Sequence, residues 1–259
     1  MRSSSATYAD PDLPPIDARL AEPEARDEIH DGELVHVPPA NEPHGTRHSK
    51  ISALVEAHVA SEFDVASDML TRTSRTNDFA PDVSVFPRAR DPRTGGRQLE
   101  QLAFEVVSTE SLGHAGGKAA KLVARGVRRV FAIDVERARA LEWSRVLATW
   151  SVLDTSAHLE DPALAAPLPI EALVVAAKAD DAVVRAFVIK RNPVIEAVRA
   201  EGKREARAEA ILDILAARGV ALNPTERARI LGEYDPDRLR RWVASASTCA
   251  NTTELFAER

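Results

Sequence analysis

A glutamate inside an apolar strand constrains this chain more than any other feature. Residues Leu102–Val107 read LAFEVV, a near-continuous apolar run of the kind that forms a strand covered on both faces, yet Glu105 lies within it. A carboxylate in that setting is costly to bury unless a cation or a metal answers it. Upstream, PDVSVF puts Asp82 at the head of a second strand candidate, where Pro87 stops the ladder. Downstream, Ala115–Arg125 reads as a helix closed by Gly126, a natural left-handed cap, and Val130–Ile133 is a third buried strand ending on Asp134. Strand, helix and strand at this spacing predict a parallel crossover unit. The expected fold is α/β, with a mixed central sheet flanked by helices and an α-helical C-terminal extension.

The flanks fill in that frame. Glu22–Glu28 reads as a short helix or turn, Asp31-Gly32 as a tight turn, and ELVHV as a half-buried strand. A helix fits Thr46–Glu62, with Ile51, Leu54, Val55, His58 and Val59 on one stripe, and Phe63–Leu70 reads as another strand. Arg88–Arg97 is expected to be a flexible basic loop; Ala140–Trp143 and Arg145–Val152 continue as strands at the far edge. Prolines 162, 167 and 169 punctuate what reads as a linker, although Glu171–Ala177 and Asp180–Lys190 look helical. A long Ala/Glu/Arg-rich helix then runs to Gly219, and Asn223-Pro224 and Asp235-Pro236 each open a further helix. The expected division is a loose arm over 1–19, a domain over 20–155, a linker with short helices over 156–194 and a helical appendage over 195–259.

Composition narrows the class. The net charge of −6 does not advertise a nucleic-acid partner, so any such contact needs a local basic patch. The single cysteine, Cys249, rules out an internal disulfide and points to the cytoplasm. No apolar run is long enough to span a bilayer, so no membrane partner is expected.

The chemistry is carried by Asp82, Glu105 and Lys118. Two carboxylates completed by water and a strand carbonyl, with Val106 the obvious one, suit Mg²⁺ or Mn²⁺. Lys118 at the start of a helix would place positive charge where negative charge develops in an attacked phosphodiester. The plainer alternative makes Asp82 a turn residue, Glu105 half of a structural ion pair and Lys118 a solvated lysine. Arginines 72, 75, 88, 90, 93 and 97 bracket the Asp82 strand, and 125, 128 and 129 lie near the end of the following helix; grouped on one face they would supply phosphate contacts.

The ordered set of an acid after proline, an acid in the next strand and a lysine in the next helix resembles the PD-(D/E)XK nuclease superfamily. More narrowly, EIHDGELVHVPP, HSKISALVEAHV, PDVSVF, FEVVSTES, KAAKLVARGV and RVFAID resemble, in that order, the Uma-two family of restriction-endonuclease-like proteins, over roughly residues 20–155. The resemblance implies a restriction-endonuclease-like core with Asp82 and Glu105 as metal ligands and Lys118 as the catalytic lysine. It adds Glu28, before the D-G-E-L turn, and His48, opening the first long helix, with His44 competing for that place. Three positions depart from the pattern: Val107 stands at the third place of E-x-K, so the lysine must come from the helix; His114 stands where an acid usually precedes that lysine by four residues; and Leu122 replaces a tyrosine four residues after it. The function expected is Mg²⁺-dependent endonuclease cleavage of DNA. The alternative is a decayed nuclease fold that binds nucleic acid or protein, with a possible homodimer or a partner met by the helical tail.

Overall fold

The computed structural model describes residues 15–108 and 112–257. In chain order the elements are β1 (Asp27–His30), β2 (Glu33–His36), α1 (Glu42–His58), β3 (Phe63–Ser67), β4 (Thr71–Ser74), β5 (Asn77–Phe79), β6 (Val83–Pro87), β7 (Leu102–Val107), α2 (Leu112–Arg125), β8 (Arg129–Asp134), β9 (Arg139–Ser144) and β10 (Thr149–Val152). A two-stranded ribbon follows, β11 (His158–Leu159) with β12 (Leu168–Pro169), then α3 (Ile170–Val174), α4 (Ala176–Ile189), α5 (Pro193–Ala217), α6 (Pro224–Leu231), α7 (Pro236–Ala246) and α8 (Thr252–Leu255). The chain divides into two compact units, one ending at Lys190 and one beginning at Arg191.

The first unit is built on a six-stranded sheet in the order β10-β9-β8-β7-β6-β3. Every pairing is antiparallel except β7 with β8, which α2 connects as a parallel crossover. Alternation along β7 sorts its side chains onto two helical layers. Phe104 and Val106 join Ile51, Leu54 and Val55 of α1 and Leu173 of α3 in one core. Ala103 packs on the opposite face with Ala119, Leu122 and Val123 of α2. Val107 shares that face, with Ala115 of α2 and Ala132 of β8. Glu105, one residue from each of Phe104 and Val106, therefore points to the α2 side.

A second sheet, β2-β1-β5-β4, carries the hairpin whose turn residues Asp31 and Gly32 take φ of 53° and 91°, as a primed two-residue turn requires. Neither β4 nor β5 was expected. Their residues are polar (TRTS, NDF), and they are strands because the buried Thr71, Asn77 and Asp78 find partners far along the chain.

Several boundaries differ from expectation for local reasons. Helix α1 begins at Glu42 because Asn41 caps it, accepting from His44 N at 3.1 Å, with Pro43 in the first turn. Glu28 lies in β1 and not at a helix end, since only Pro23–Ala25 forms a 3-10 turn. The stretch read as a linker packs into the first unit, where Leu159, Leu168, Ile170 and Leu173 are core residues. Residues 1–14 of the expected arm lie outside the described residues.

The second unit is helical around Ile211, Leu215, Ile230, Leu239 and Trp242. Asn192, Asn223 and Asp235 cap α5, α6 and α7, and Asn223 forms a reciprocal capping box with Glu226. Among the described residues no helix is long and apolar enough to cross a membrane.

Candidate active site

Antiparallel pairing of β6 with β7 sets the site. The ladder runs Val85↔Leu102, Ser84↔Ala103, Val83↔Phe104; one step further places Asp82 opposite Glu105. Residues directly opposite on paired strands share a face, so the two acids meet at one end of the sheet. Asp82 Oδ2 accepts the N–H of Val106 at 2.5 Å. In extended backbone the N–H and C=O of one residue leave the same flank of the strand, so the Val106 carbonyl also faces the Asp82 side.

Helix α2 lies over this face and delivers Lys118. Its ammonium donates to Glu105 Oε2 at 3.2 Å and to Glu28 Oε1 at 3.0 Å, and all three side chains are buried. Glu28 reaches the cluster from β1. Its Oε1 also accepts the N–H of Ala80 at 2.9 Å, and its Oε2 lies 2.8 Å from His30 Nε2. His30 in turn stacks on His114, with centroids 5.4 Å apart. The other oxygen of Glu105, Oε1, is buried without a hydrogen-bond partner.

Protonation follows from these contacts. Burial pushes the Glu105 carboxyl up to about 8; the charges of Asp82 and Glu28 add to the rise and Lys118 opposes it. Burial would lower the Lys118 ammonium, yet Glu105 and Glu28 outweigh it and hold the proton on. Burial would likewise raise Glu28, but Lys118, the Ala80 N–H and His30 keep it below the usual carboxylate range. Asp82 is also held low, because the bond from His44 and the Val106 N–H, with Lys118 beyond, outweigh its burial. Three acids around one ammonium leave negative charge in excess, which a proton on Glu105 would reduce and a bound divalent cation would offset.

A divalent cation fits this donor set. Asp82, the unpartnered Glu105 Oε1 and the Val106 carbonyl are hard oxygen donors of the kind Mg²⁺ and Mn²⁺ take. A second group borders the first. His44 and His48, one turn apart on α1, converge with Asp82 so that one ligand atom from each lies within 4.8 Å of the others. His44 Nε2 is 3.3 Å from Asp82 Oδ1, and His48 Nε2 is 2.5 Å from the Asp82 carbonyl oxygen. Imidazole donors favour Mn²⁺ and other transition ions over Mg²⁺.

Asp82, Glu105, Val106, Lys118, Glu28 and His48 thus all lie at one end of the sheet, and the structure brings His44 in beside His48. His30 was missed; its signal is the period-two spacing that sets it on the same side of β1 as Glu28. Leu122 is wholly buried in the packing of α2, so its position is filled by core and not by chemistry.

The arginines do not gather as expected. The loop after β6 and the start of β8 lie at the opposite end of the sheet from Asp82 and Glu105, because β6 runs away from Asp82 and β7 runs back toward Glu105. Arg97 is buried against Glu100 at 2.8 Å, Arg88 pairs with Asp64, and Arg128 and Arg129 hold Asp161 and Glu142. Arg72 donates to the Ala18 and Ser74 carbonyls. These guanidiniums brace loops.

Comparisons with known proteins bear on family and fold. The model of the Uma2 family, described as "Putative restriction endonuclease", matches residues 13–176. Among solved structures, a protein from Anabaena variabilis ATCC 29413 described as "a putative nuclease belonging to DUF820" superposes with a TM-score of 0.50 and 18% identity, covering 60% of this chain and 93% of that one. At that identity the likeness is one of fold. No curated protein matches the chain.

Proposed function

The chain belongs to the Uma2 family, and on that premise we propose that it is a nuclease that hydrolyses phosphodiester bonds in DNA with a divalent cation, Mg²⁺ or Mn²⁺, held by Asp82, Glu105 and the Val106 carbonyl. The observation that carries the reading is the buried Glu105–Lys118–Glu28 cluster, whose unpartnered Glu105 oxygen shares a face with Asp82. When bound, such a cation supplies Lewis-acid charge to a phosphoryl oxygen.

The side chains supply the rest. The Lys118 ammonium, kept protonated by two carboxylates, places fixed positive charge beside the reacting phosphate, where negative charge develops. Glu28 positions Lys118 and is itself held by the Ala80 N–H and His30. His48 holds the backbone carbonyl of Asp82, and His44 orients its carboxylate.

DNA cleavage with Mg²⁺ or Mn²⁺ tests the reading, comparing wild type with Asp82→Ala. Metal-dependent cleavage that the substitution abolishes is expected. Equal residual activity in both proteins, or none with any divalent ion, would overturn hydrolysis.

A further inference from the structure

The same topology that removes the β6–β7 loop from the active end brings another basic element to it. Strand β8 runs parallel to β7, so its C-terminal end and the hairpin into β9 lie at the Glu105 end of the sheet. The register pairs Glu105 with Ala132 and Val107 with Asp134, and then Asp134 with Arg139. Asp134 and Arg139 therefore stand on the same face as Glu105 and Lys118. Two residues along and one strand across is about 8 Å between backbones.

At this hairpin Asp134 anchors two arginines. It is 2% exposed, lies 2.9 Å from Arg139 Nε and 3.3 Å from an Arg137 terminal nitrogen, and also accepts the Arg137 backbone N–H at 3.1 Å. One carboxylate thus fixes two guanidiniums. Among the described residues neither has another ion pair at an acid, and the Arg137 side chain stays 63% exposed. A guanidinium carries five donors in a rigid fork, so each arginine keeps donors that point away from Asp134. The acid that opposes an anion here is Glu136, exposed on the same turn.

We propose that Arg137 and Arg139 form a phosphate-binding subsite for the nucleic-acid strand, next to the reacting phosphodiester and on its β8 side. The proposal rests on the nuclease reading for the nature of the polymer. Asp134 is a positioning residue: it holds both forks ready, so little side-chain freedom is lost on binding.

The test is DNA binding by the full chain, measured by fluorescence anisotropy over a series of salt concentrations. Loss of one phosphate contact lowers the slope of log affinity against log salt by about 0.9. Arg137→Gln is expected to weaken binding and flatten the slope by that amount. Arg93→Gln removes the same charge at the far end of the sheet and is expected to leave the slope unchanged. Glu136→Gln is expected to tighten binding. Equal slopes for wild type and Arg137→Gln, an equal drop in Arg93→Gln, or no DNA binding by wild type would each overturn the subsite. Cleavage lost in Asp82→Ala with an unchanged slope in Arg137→Gln would leave the nuclease reading standing and this one refuted. A flattened slope without cleavage under any metal would do the reverse.

Discussion

Lys118→Met removes the ammonium shared by Glu28 and Glu105 while keeping much of its length. Both ion pairs, at 3.0 and 3.2 Å, are buried, and deleting one partner of such a pair typically costs about 3–5 kcal/mol through the charge left behind. Protonation offsets part of this cost. Glu105, already drawn up to about 8, is largely neutral at pH 7, so the charge stranded by the substitution is chiefly that of Glu28. The expected loss is therefore at the low end, about 3 kcal/mol near pH 8, and smaller at pH 5, because in the variant the buried Glu28 no longer has the Lys118 charge that holds its carboxyl low and takes up a proton more readily. At about 2–4 °C per kcal/mol for a chain of this size, the melting temperature at pH 8 falls by roughly 6–12 °C. Lys121→Met is the control: its ammonium is partly exposed and pairs with the exposed Asp31, so it should cost under about 1 kcal/mol. Mn²⁺ should recover part of the loss in Lys118→Met, because a cation between Asp82 and Glu105 replaces the missing charge. Thermal melts of both variants at pH 5 and pH 8, with EDTA and with Mn²⁺, check this. Equal losses in the two variants, or a Lys118→Met loss that does not depend on pH, would refute the electrostatic reasoning.

The carboxyl of Glu105 is raised from an ordinary 4.5 to about 8, so the folded state binds the extra proton; its contribution to stability is full below pH 4.5 and lost as pH rises through 8. In EDTA the first unit should lose at most about 1.4 kcal/mol per pH unit across that window, and Mn²⁺ should flatten the dependence; a flat profile in EDTA contradicts the assignment. On α2, Gly117→Ala meets no atom within 4 Å and should stabilise the helix by about 1 kcal/mol. Gly116→Ala would bring a Cβ to 3.0 Å from Trp143 and 3.3 Å from Trp150, and an overpacking cost of about 1–3 kcal/mol should cancel or exceed the same gain. Chemical denaturation of the two variants side by side decides it, and equal stabilisation would show that the indoles yield.

What could be read from the sequence was the locally determined part. The Asp31-Gly32 turn, the β7–α2–β8 crossover and the helix starts at Asn223-Pro224 and Asp235-Pro236 each rest on chemistry within a few residues. Strands β4 and β5 were invisible because their polar residues are strand-forming only through distant partners: Asp78 accepts the N–H groups of Leu20 and Ala21, and Thr71 donates to Glu100. The acids and lysine of the candidate site were legible as residue types in order. That Glu28 belongs to a strand beside Lys118 was not, since the pairing joins positions far apart in the chain. The arginines misled because loop composition says nothing about which end of a sheet a loop occupies. Arg97, three residues before Glu100, carried the one local hint of an internal ion pair.

Calorimetric titration of Mn²⁺ into the full chain at pH 7, in two buffers of different ionisation enthalpy, tests the central claim most directly. Wild type should bind Mn²⁺ and release a proton as the cation displaces it from Glu105. Glu105→Gln should bind more weakly with no such release, and Asp82→Asn should bind weakly or not at all. Unaltered binding in both variants, or no heat from wild type, would contradict it.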